Sequence, residues 1–199
     1  MNLANLYYRN RILIFDPGGA WKRITGEGLT RRNVIMDYLL PMSVLVAICA
    51  FLGNLFGGNV RDSSSFSYIL INAVFSFLVV FLSVYLSGWL ITEVASAFNP
   101  DTGPDSIFNL VIYSHAPFFI GLAFIKIFPQ LLFVAAIGFY SFYLFWTGIG
   151  KLTRINPENR LAFFLASGLI MLMTYTFLTI IFNSVYDVVI EQFVTFGTR

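Results

Sequence analysis

Five long runs without a charged residue constrain this 199-residue chain more than any other feature. No Asp, Glu, Lys or Arg occurs within residues 38–60, 63–92, 106–125, 127–150 or 161–186. Each run has 20 to 30 residues, and a helix needs about 20 mostly apolar residues to cross the hydrocarbon core of a bilayer. A charge at mid-helix would cost about 2.5–3.5 kcal/mol, which explains why charges are excluded. The runs therefore predict five transmembrane helices.

The composition agrees with an all-α integral membrane protein. Apolar residues make up 58% of the chain and charged residues 11%, against about 25% charged in soluble domains. These values exclude a soluble globular domain, a disordered chain and a nucleic-acid-binding domain. The run Val79-Val80-Phe81-Leu82 does not alternate, as a transmembrane β-strand would. The expected fold is a bundle of five transmembrane helices.

The chain divides into three parts along the sequence. Residues 1–32 are predicted to form a cytoplasmic, interfacial segment, residues 33–186 the transmembrane domain, and residues 187–199 a short C-terminal tail. The five spans are expected at about residues 36–57, 66–92, 106–125, 129–150 and 161–186.

Basic residues set the expected orientation, because Lys and Arg accumulate on the cytoplasmic side of a membrane. Six precede the first span, and three lie in the loop after the fourth. Only Arg61, Lys126 and Arg199 fall elsewhere. The N-terminus is therefore predicted to be cytoplasmic and the C-terminus outside.

Aromatic and basic side chains at the predicted span ends are interpreted as interfacial anchors. They are Trp21, Lys22, Arg23, Trp89 and Trp146. The basic N-terminal segment is either a docking site for anionic lipid or a partner, or only an orientation anchor, and the second interpretation is favoured.

Catalytic patterns are missing from the sequence. His115 is the only histidine and Cys49 the only cysteine, so neither a paired-histidine nor a thiolate zinc site is available. There is no phosphate-binding glycine loop and no nucleophile elbow. The protein is expected not to be an enzyme and to use neither a cofactor nor a metal.

His115 is the most informative polar residue, because it lies midway along the third predicted span, two positions before Pro117. An ionisable group at that depth suggests a functional role. It could relay protons or cations, with Glu93, Asp101 and Asp105 as acids at the inner mouth. It could instead be a neutral imidazole that bridges helices where Pro117 breaks the hydrogen-bond ladder, and this alternative is favoured.

The acidic loop formed by Glu93, Asp101 and Asp105 also has two interpretations. Three carboxylates could hold a divalent cation, or they could form a solvated cap at the start of the third span. The spacing matches no calcium loop, so the cap is favoured.

The chain resembles the Yip (Ypt/Rab-interacting protein) membrane-domain family in a compact prokaryotic form. Three short stretches carry the resemblance: Ile14-Phe15-Asp16-Pro17 followed by Trp21, Tyr38-Leu39-Leu40-Pro41, and Tyr113-Ser114-His115-Ala116-Pro117 followed by Gly121. The family-motif residues are Pro17, Trp21, Pro41, Tyr113, Ser114, Pro117 and Gly121.

The resemblance implies a non-enzymatic membrane protein. Eukaryotic members reside in the Golgi and endoplasmic reticulum and associate with prenylated Rab-type GTPases through a longer N-terminal region. The short segment before the first span makes a Rab-type partner unexpected here. The resemblance therefore favours the plasma membrane of a prokaryote, with a eukaryotic Golgi or endoplasmic-reticulum membrane as the alternative.

Two functions remain open at this point. The first is a membrane scaffold or partner-binding protein in membrane organisation or trafficking, which binds a membrane or cytoplasmic partner or forms homo-oligomers. The second is a small transporter or channel for protons, cations or a small solute, with a pathway near His115. The first is favoured because intramembrane charges are almost absent and no inverted repeat is visible.

Overall fold

The computed structural model describes residues 3–56 and 66–197, and all regular secondary structure in these ranges is helical. The helices are α1 (Leu3–Phe15), α2 (Pro17–Glu27), α3 (Arg31–Phe56), α4 (Phe66–Ala95), α5 (Pro104–Ser114), α6 (Ala116–Ile127), α7 (Pro129–Thr153) and α8 (Pro157–Gly197). A 3-10 turn, Ser96–Phe98, follows α4, and the first part of α7, Pro129–Phe139, is 3-10 helix as well.

Five segments of the described ranges are long and apolar enough to cross a membrane. They are Arg31–Phe56, Phe66–Phe98, Pro104–Ile127, Pro129–Thr153 and Pro157–Val189. The prediction of five long apolar helices is confirmed. Each helix extends a few residues beyond the predicted span at one or both ends. Residue 57, the predicted end of the first span, lies outside the described residues. The predicted tail continues α8 as helix through Gly197. The chain is a multi-pass membrane protein.

Helix α4 lies at the centre of the packing. It contacts α3, α5 and α8, while α6 packs between α3 and α7. Gly53 permits the tight crossing of α3 on α6, because a Cβ atom there would lie 1.8 Å from the backbone oxygen of Lys126. Small residues let transmembrane helices approach in this way. Gly53 therefore contributes a close helix–helix contact within the chain.

Pro41 shapes the start of the first span. Proline has no backbone N–H and crowds the carbonyl four residues earlier. The preceding turn, Ile35–Leu39, is π-helical, and the N–H of Leu40 reaches back to the carbonyl of Ile35. A π-helical turn accommodates this disruption without ending the helix.

Helices α1 and α2 form a hairpin, and local sequence explains the turn between them. Asp16 caps α2 by accepting a hydrogen bond of 3.0 Å from the backbone N–H of Gly19, and Pro17 occupies the first turn. Both choices suit a helix N-terminus. Gly28 ends α2 with a φ of 56°, a left-handed conformation that glycine adopts without strain.

The hairpin belongs to the same hydrophobic core as the spans. Leu13, Ala20, Trp21 and Ile24 are buried with residues of the transmembrane helices. The N-terminal segment and the bundle therefore share one core in three dimensions. The predicted boundary at residue 32 separates them along the sequence only.

The third span breaks where the sequence predicts. His115 ends α5 and precedes α6, with backbone angles of −77° and 2°. Pro117 lies in the first turn of α6, a position at which its missing N–H costs little. The prediction that Pro117 interrupts the span is confirmed.

Candidate functional site

Arg9 of α1 is the centre of a polar cluster between the hairpin and the bundle. Its Nη1 donates to the hydroxyl of Tyr113 at 3.0 Å, and its Nη2 lies 2.6 Å from Oε2 of Glu27. The guanidinium carbon also lies 5.0 Å from the centre of the Tyr113 ring. A cation over an aromatic face is attracted by the ring quadrupole. Arg9 therefore ties α1 to both α2 and the third span.

The electrostatic surroundings keep Arg9 charged. Burial by itself lowers its pKa, but the neighbouring Tyr113 and Glu27 more than offset burial, so that the pKa of Arg9 is raised. Nearby negative charge favours the charged form of a cation. The guanidinium is therefore a fixed positive charge at the end of the bundle that the hairpin covers.

Tyr38 extends this cluster into the first span. Its hydroxyl donates to Oδ1 of Asn10 at 2.7 Å, and its ring centre lies 4.7 Å from that of Tyr113. Asn10 in turn donates from Nδ2 to the carbonyl of Leu6 at 2.9 Å. We call Arg9, Asn10, Tyr38 and Tyr113 the hairpin junction. It borders a cavity of about 230 Å³ that Asn5, Asn33 and Asp37 also line.

Trp21 makes the second attachment of the hairpin. Its Nε1 donates to Oγ1 of Thr147 at 3.2 Å, and the side chain is completely buried. A Cβ atom at Gly148 would lie 2.9 Å from the indole ring. This corrects the interpretation of Trp21 as an interfacial anchor, because protein encloses the ring on all sides. The signal for burial was the spacing of Ala20, Trp21 and Ile24 along α2.

The other predicted anchors lie at the surface. Lys22 and Arg23 are exposed on α2, and Arg23 donates to the hydroxyl of Tyr8. Trp89 and Trp146 are 44% and 39% exposed. These side chains have the exposure that contact with a membrane interface requires, and their role as anchors stays a prediction.

The outer face of α1 combines aromatic groups with charge. Tyr7, Arg11 and Phe15 are spaced four residues apart and are all exposed, with Tyr7 at 71% and Phe15 at 82%. Residues four apart share one side of a helix. We call these three residues the exposed hairpin stripe.

His115 lies buried at the break between α5 and α6. Its Nδ1 is 2.7 Å from the carbonyl oxygen of Val111. A carbonyl oxygen can only accept, so Nδ1 carries the proton, and in the neutral ring Nε2 keeps a free lone pair. His115 lines a cavity of about 220 Å³ with Ser83, Ser87 and Ser141. The remaining lining is mostly apolar and aromatic.

The predicted acids do not join His115. Asp101 lies 3.7 Å from Arg154, and Asp105 lies 2.9 Å from Arg31. Asp105 is ten residues from His115, which is about 15 Å along a helix. Glu93 is exposed. Among the described residues no group of three or more His, Cys, Asp or Glu side chains could hold a metal ion.

A second polar cavity lies at the opposite end of the bundle from the hairpin. Its volume is about 380 Å³, and it is lined by Lys126, Asp187, Asn72, Asn183 and other residues. Tyr175 lines both this cavity and the cavity at His115. Sequence reasoning missed Tyr175, as it missed Arg9 and Asn10, because isolated polar residues in apolar or amphipathic helices carry no motif.

Most of the remaining motif residues have structural explanations. Ser114 donates to the carbonyl of Leu110 at 2.7 Å. A Cβ atom at Gly121 would lie 3.5 Å from the carbonyl oxygen of Val134, an ordinary van der Waals contact, so packing between α6 and α7 does not require glycine there. Tyr113 belongs to the hairpin junction, and Pro17 and Pro41 shape α2 and α3 as described above.

Comparison with known proteins supplies the family. No curated protein and no solved structure matches the chain. The Yip1 domain matches residues 11–180, which includes the last turn of α1, all of α2 to α7 and most of α8. The matched region contains the three motif stretches, Trp21 and the break at Pro117. The chain therefore belongs to the Yip1 domain family, whose members are generally non-enzymatic membrane proteins.

Proposed function

We propose that this protein is a non-enzymatic membrane scaffold that binds a cytoplasmic partner through its N-terminal hairpin. The observation that carries the proposal is the combination of a rigidly attached hairpin with an outward face of aromatic and basic groups. Arg9 and Trp21 hold the hairpin on the bundle. The exposed hairpin stripe, Tyr7, Arg11 and Phe15, faces away from the core.

The rigidity of the hairpin supports a binding role. A surface whose backbone is fixed in advance loses less conformational entropy when a partner docks. Two further contacts fix the hairpin: Nζ of Lys151 donates to the carbonyl of Gly18 at 3.0 Å, and the hydroxyl of Tyr140 donates to the carbonyl of Ile14 at 3.0 Å. Exposed aromatic and arginine side chains are the types enriched where proteins bind one another.

The orientation belongs to the proposal as well. With the N-terminus cytoplasmic, the hairpin, the loop around Asp101 and the loop at Arg154 all lie on the cytoplasmic side, as does most of the positive charge. This distribution follows the positive-inside rule. We place the protein in the plasma membrane of a prokaryote, as a compact member of the family.

Site-specific photo-cross-linking in native membranes tests the partner. A photoreactive residue at position 7 or 15 is expected to give a discrete protein adduct, and Arg11→Glu with Arg23→Glu is expected to abolish it. The matched control is position 177, because Phe177 is 62% exposed on α8 within the last span. Adducts with lipid alone, or equal adducts from position 177, would contradict partner binding by the hairpin.

Labelling from one side of the membrane tests the orientation. Gly26 on the hairpin has open space around it, and Gln130 is exposed at the turn between α6 and α7. A membrane-impermeant thiol reagent applied outside intact cells should label Gln130→Cys and leave Gly26→Cys unlabelled. The reverse pattern would overturn the proposed orientation.

A transport function is the second candidate, and one observation favours it. Tyr175 lines both the mostly apolar cavity at His115 and the polar cavity at Lys126, so the two cavities share one wall residue. Proton and cation flux into proteoliposomes, compared between the native chain and His115→Ala, tests this candidate. Flux that the substitution abolishes would favour transport, and absence of flux in both folded proteins would exclude it.

A further inference from the structure

The cavity at His115 has the shape and polarity of a binding site inside the membrane. It lies between α4, the joint of α5 and α6, α7 and α8. Its volume of about 220 Å³ exceeds the roughly 150 Å³ of an engineered cavity that holds benzene. Phe139 and Leu172 also line it, and both are more than half exposed. Molecules dissolved in the bilayer can therefore reach it from the side.

One hydrogen-bond acceptor in this cavity lacks a partner among the described residues. Nδ1 of His115 is committed to the carbonyl of Val111, which leaves the opposite ring nitrogen, Nε2, as an acceptor. The side chain is more than nine-tenths buried. The lone pair of Nε2 is therefore free to accept a hydrogen bond from a molecule in the cavity. The site therefore favours a molecule that donates a hydrogen bond.

A donor lies in the same cavity. Oγ of Ser141 accepts a hydrogen bond of 3.2 Å from the backbone N–H of Phe118, so its own proton is free to be donated. The structure gives that proton no acceptor among the residues it describes. The other two cavity serines differ, because Ser83 and Ser87 already donate to the carbonyls of Val80 and Ser83.

We infer that this cavity binds a hydroxyl-bearing, membrane-soluble molecule, a phenol or a long-chain alcohol. A hydroxyl group is both donor and acceptor, so it can donate to Nε2 of His115 and accept from Ser141. The apolar body of the molecule packs against the aromatic lining. Phe118 and Phe142 offer ring faces and edges there, which suit a phenol in particular.

The single histidine makes a direct test available. The native chain, labelled with ¹⁵N only in histidine and held in lipid nanodiscs, has one pair of ring-nitrogen resonances. Titration with a 4-alkylphenol is expected to shift the Nε2 resonance toward the hydrogen-bonded position and to saturate. The matching alkylbenzene, which lacks only the hydroxyl, should leave that resonance in place. A long-chain alcohol in a separate titration shows whether a ring is needed.

Variants add a second readout. Ser141→Ala removes the donor, and we expect it to weaken phenol binding about two- to tenfold, the usual effect of one hydrogen bond. Leu172→Met on the rim is the matched control, because it retains apolar character and similar volume. It should change affinity little.

Several results would overturn the inference. A proton on Nε2 rather than Nδ1 would remove the acceptor. The Nε2 resonance could already lie at the hydrogen-bonded position before the phenol is added and not respond to the phenol. That result would show that a water molecule fills the site. Equal binding of the phenol and the alkylbenzene would show an apolar pocket without hydroxyl recognition.

Discussion

Trp21 of the N-terminal hairpin donates a hydrogen bond to Thr147 of the fourth span, across 126 positions of sequence. The indole fits against Gly148, where any side chain would collide with it. This contact joins a segment that lies before the first span to the C-terminal end of the fourth span. A hairpin fixed in this way is a structural part of the domain, and its exposed stripe is presented in one orientation.

Trp21→Ala should release the hairpin. Deleting a large, fully buried aromatic side chain costs about 3–5 kcal/mol, and here Thr147 also loses its donor. We expect trypsin to cleave after Lys22 and Arg23 much faster than in the native protein. Trp146→Ala is the control, since Trp146 is 39% exposed, and it should change the cleavage rate little. Equal cleavage of both variants would contradict the role of Trp21.

Gly53→Ala should destabilise the crossing of α3 and α6. The new methyl group would meet the backbone of Lys126, and a helix backbone yields less readily than a side chain. We expect a loss of about 1–3 kcal/mol, the usual cost of overpacking, measured as a lower unfolding temperature in nanodiscs. Gly26→Ala is the matched control, because it has open space around it. That change should be neutral or stabilising by about 0.4–1 kcal/mol.

Tyr113→Phe should loosen the hairpin junction without disturbing the packing of the ring. The substitution removes the hydroxyl that accepts from Arg9, and a hydrogen bond to a charged group is worth about 1.5–3 kcal/mol. Arg9 is partly exposed, so we expect a loss of about 1 kcal/mol in the free energy of unfolding. Tyr7→Phe, on the exposed stripe, is the control.

The contribution of Arg9 should not depend on pH under ordinary conditions. The folded-state pKa of Arg9 is raised. Its stabilisation is therefore complete below its ordinary pKa and is lost only as pH rises through the folded value. The stability difference between the native protein and Arg9→Met should stay constant between about pH 6 and pH 9. A difference that shrinks within that window would mean that the guanidinium does not carry the effect.

Divalent cations should not stabilise the acidic loop. Asp101 and Asp105 face arginine side chains, and the three predicted acids do not form a ligand set in the described residues. We expect Ca²⁺ and Mg²⁺ to leave the unfolding temperature unchanged. Asp105→Asn should cost less than about 1 kcal/mol, and less still at high salt, because the Arg31 pair is partly exposed. A Ca²⁺-dependent increase that Asp105→Asn removes would restore the metal interpretation.

The sequence by itself determined the number of long apolar helices and the approximate position of each. Charge exclusion from a low-dielectric layer is a property of each residue and its neighbours along the chain. It therefore predicts five apolar helices without knowledge of their packing. The break at Pro117 is local for the same reason, and the structure confirms it.

Tertiary structure alone decided how the polar residues are used. Trp21 is a residue type that often anchors proteins at the membrane interface. Here it is buried, because Gly148, far along the chain, leaves room for its ring. The free acceptor of His115 and the free donor of Ser141 reach one cavity because α7 crosses the joint of α5 and α6. Such contacts depend on the relative placement of helices, which local periodicity does not encode. The hairpin junction and the cavity at His115 therefore became visible only in the folded bundle.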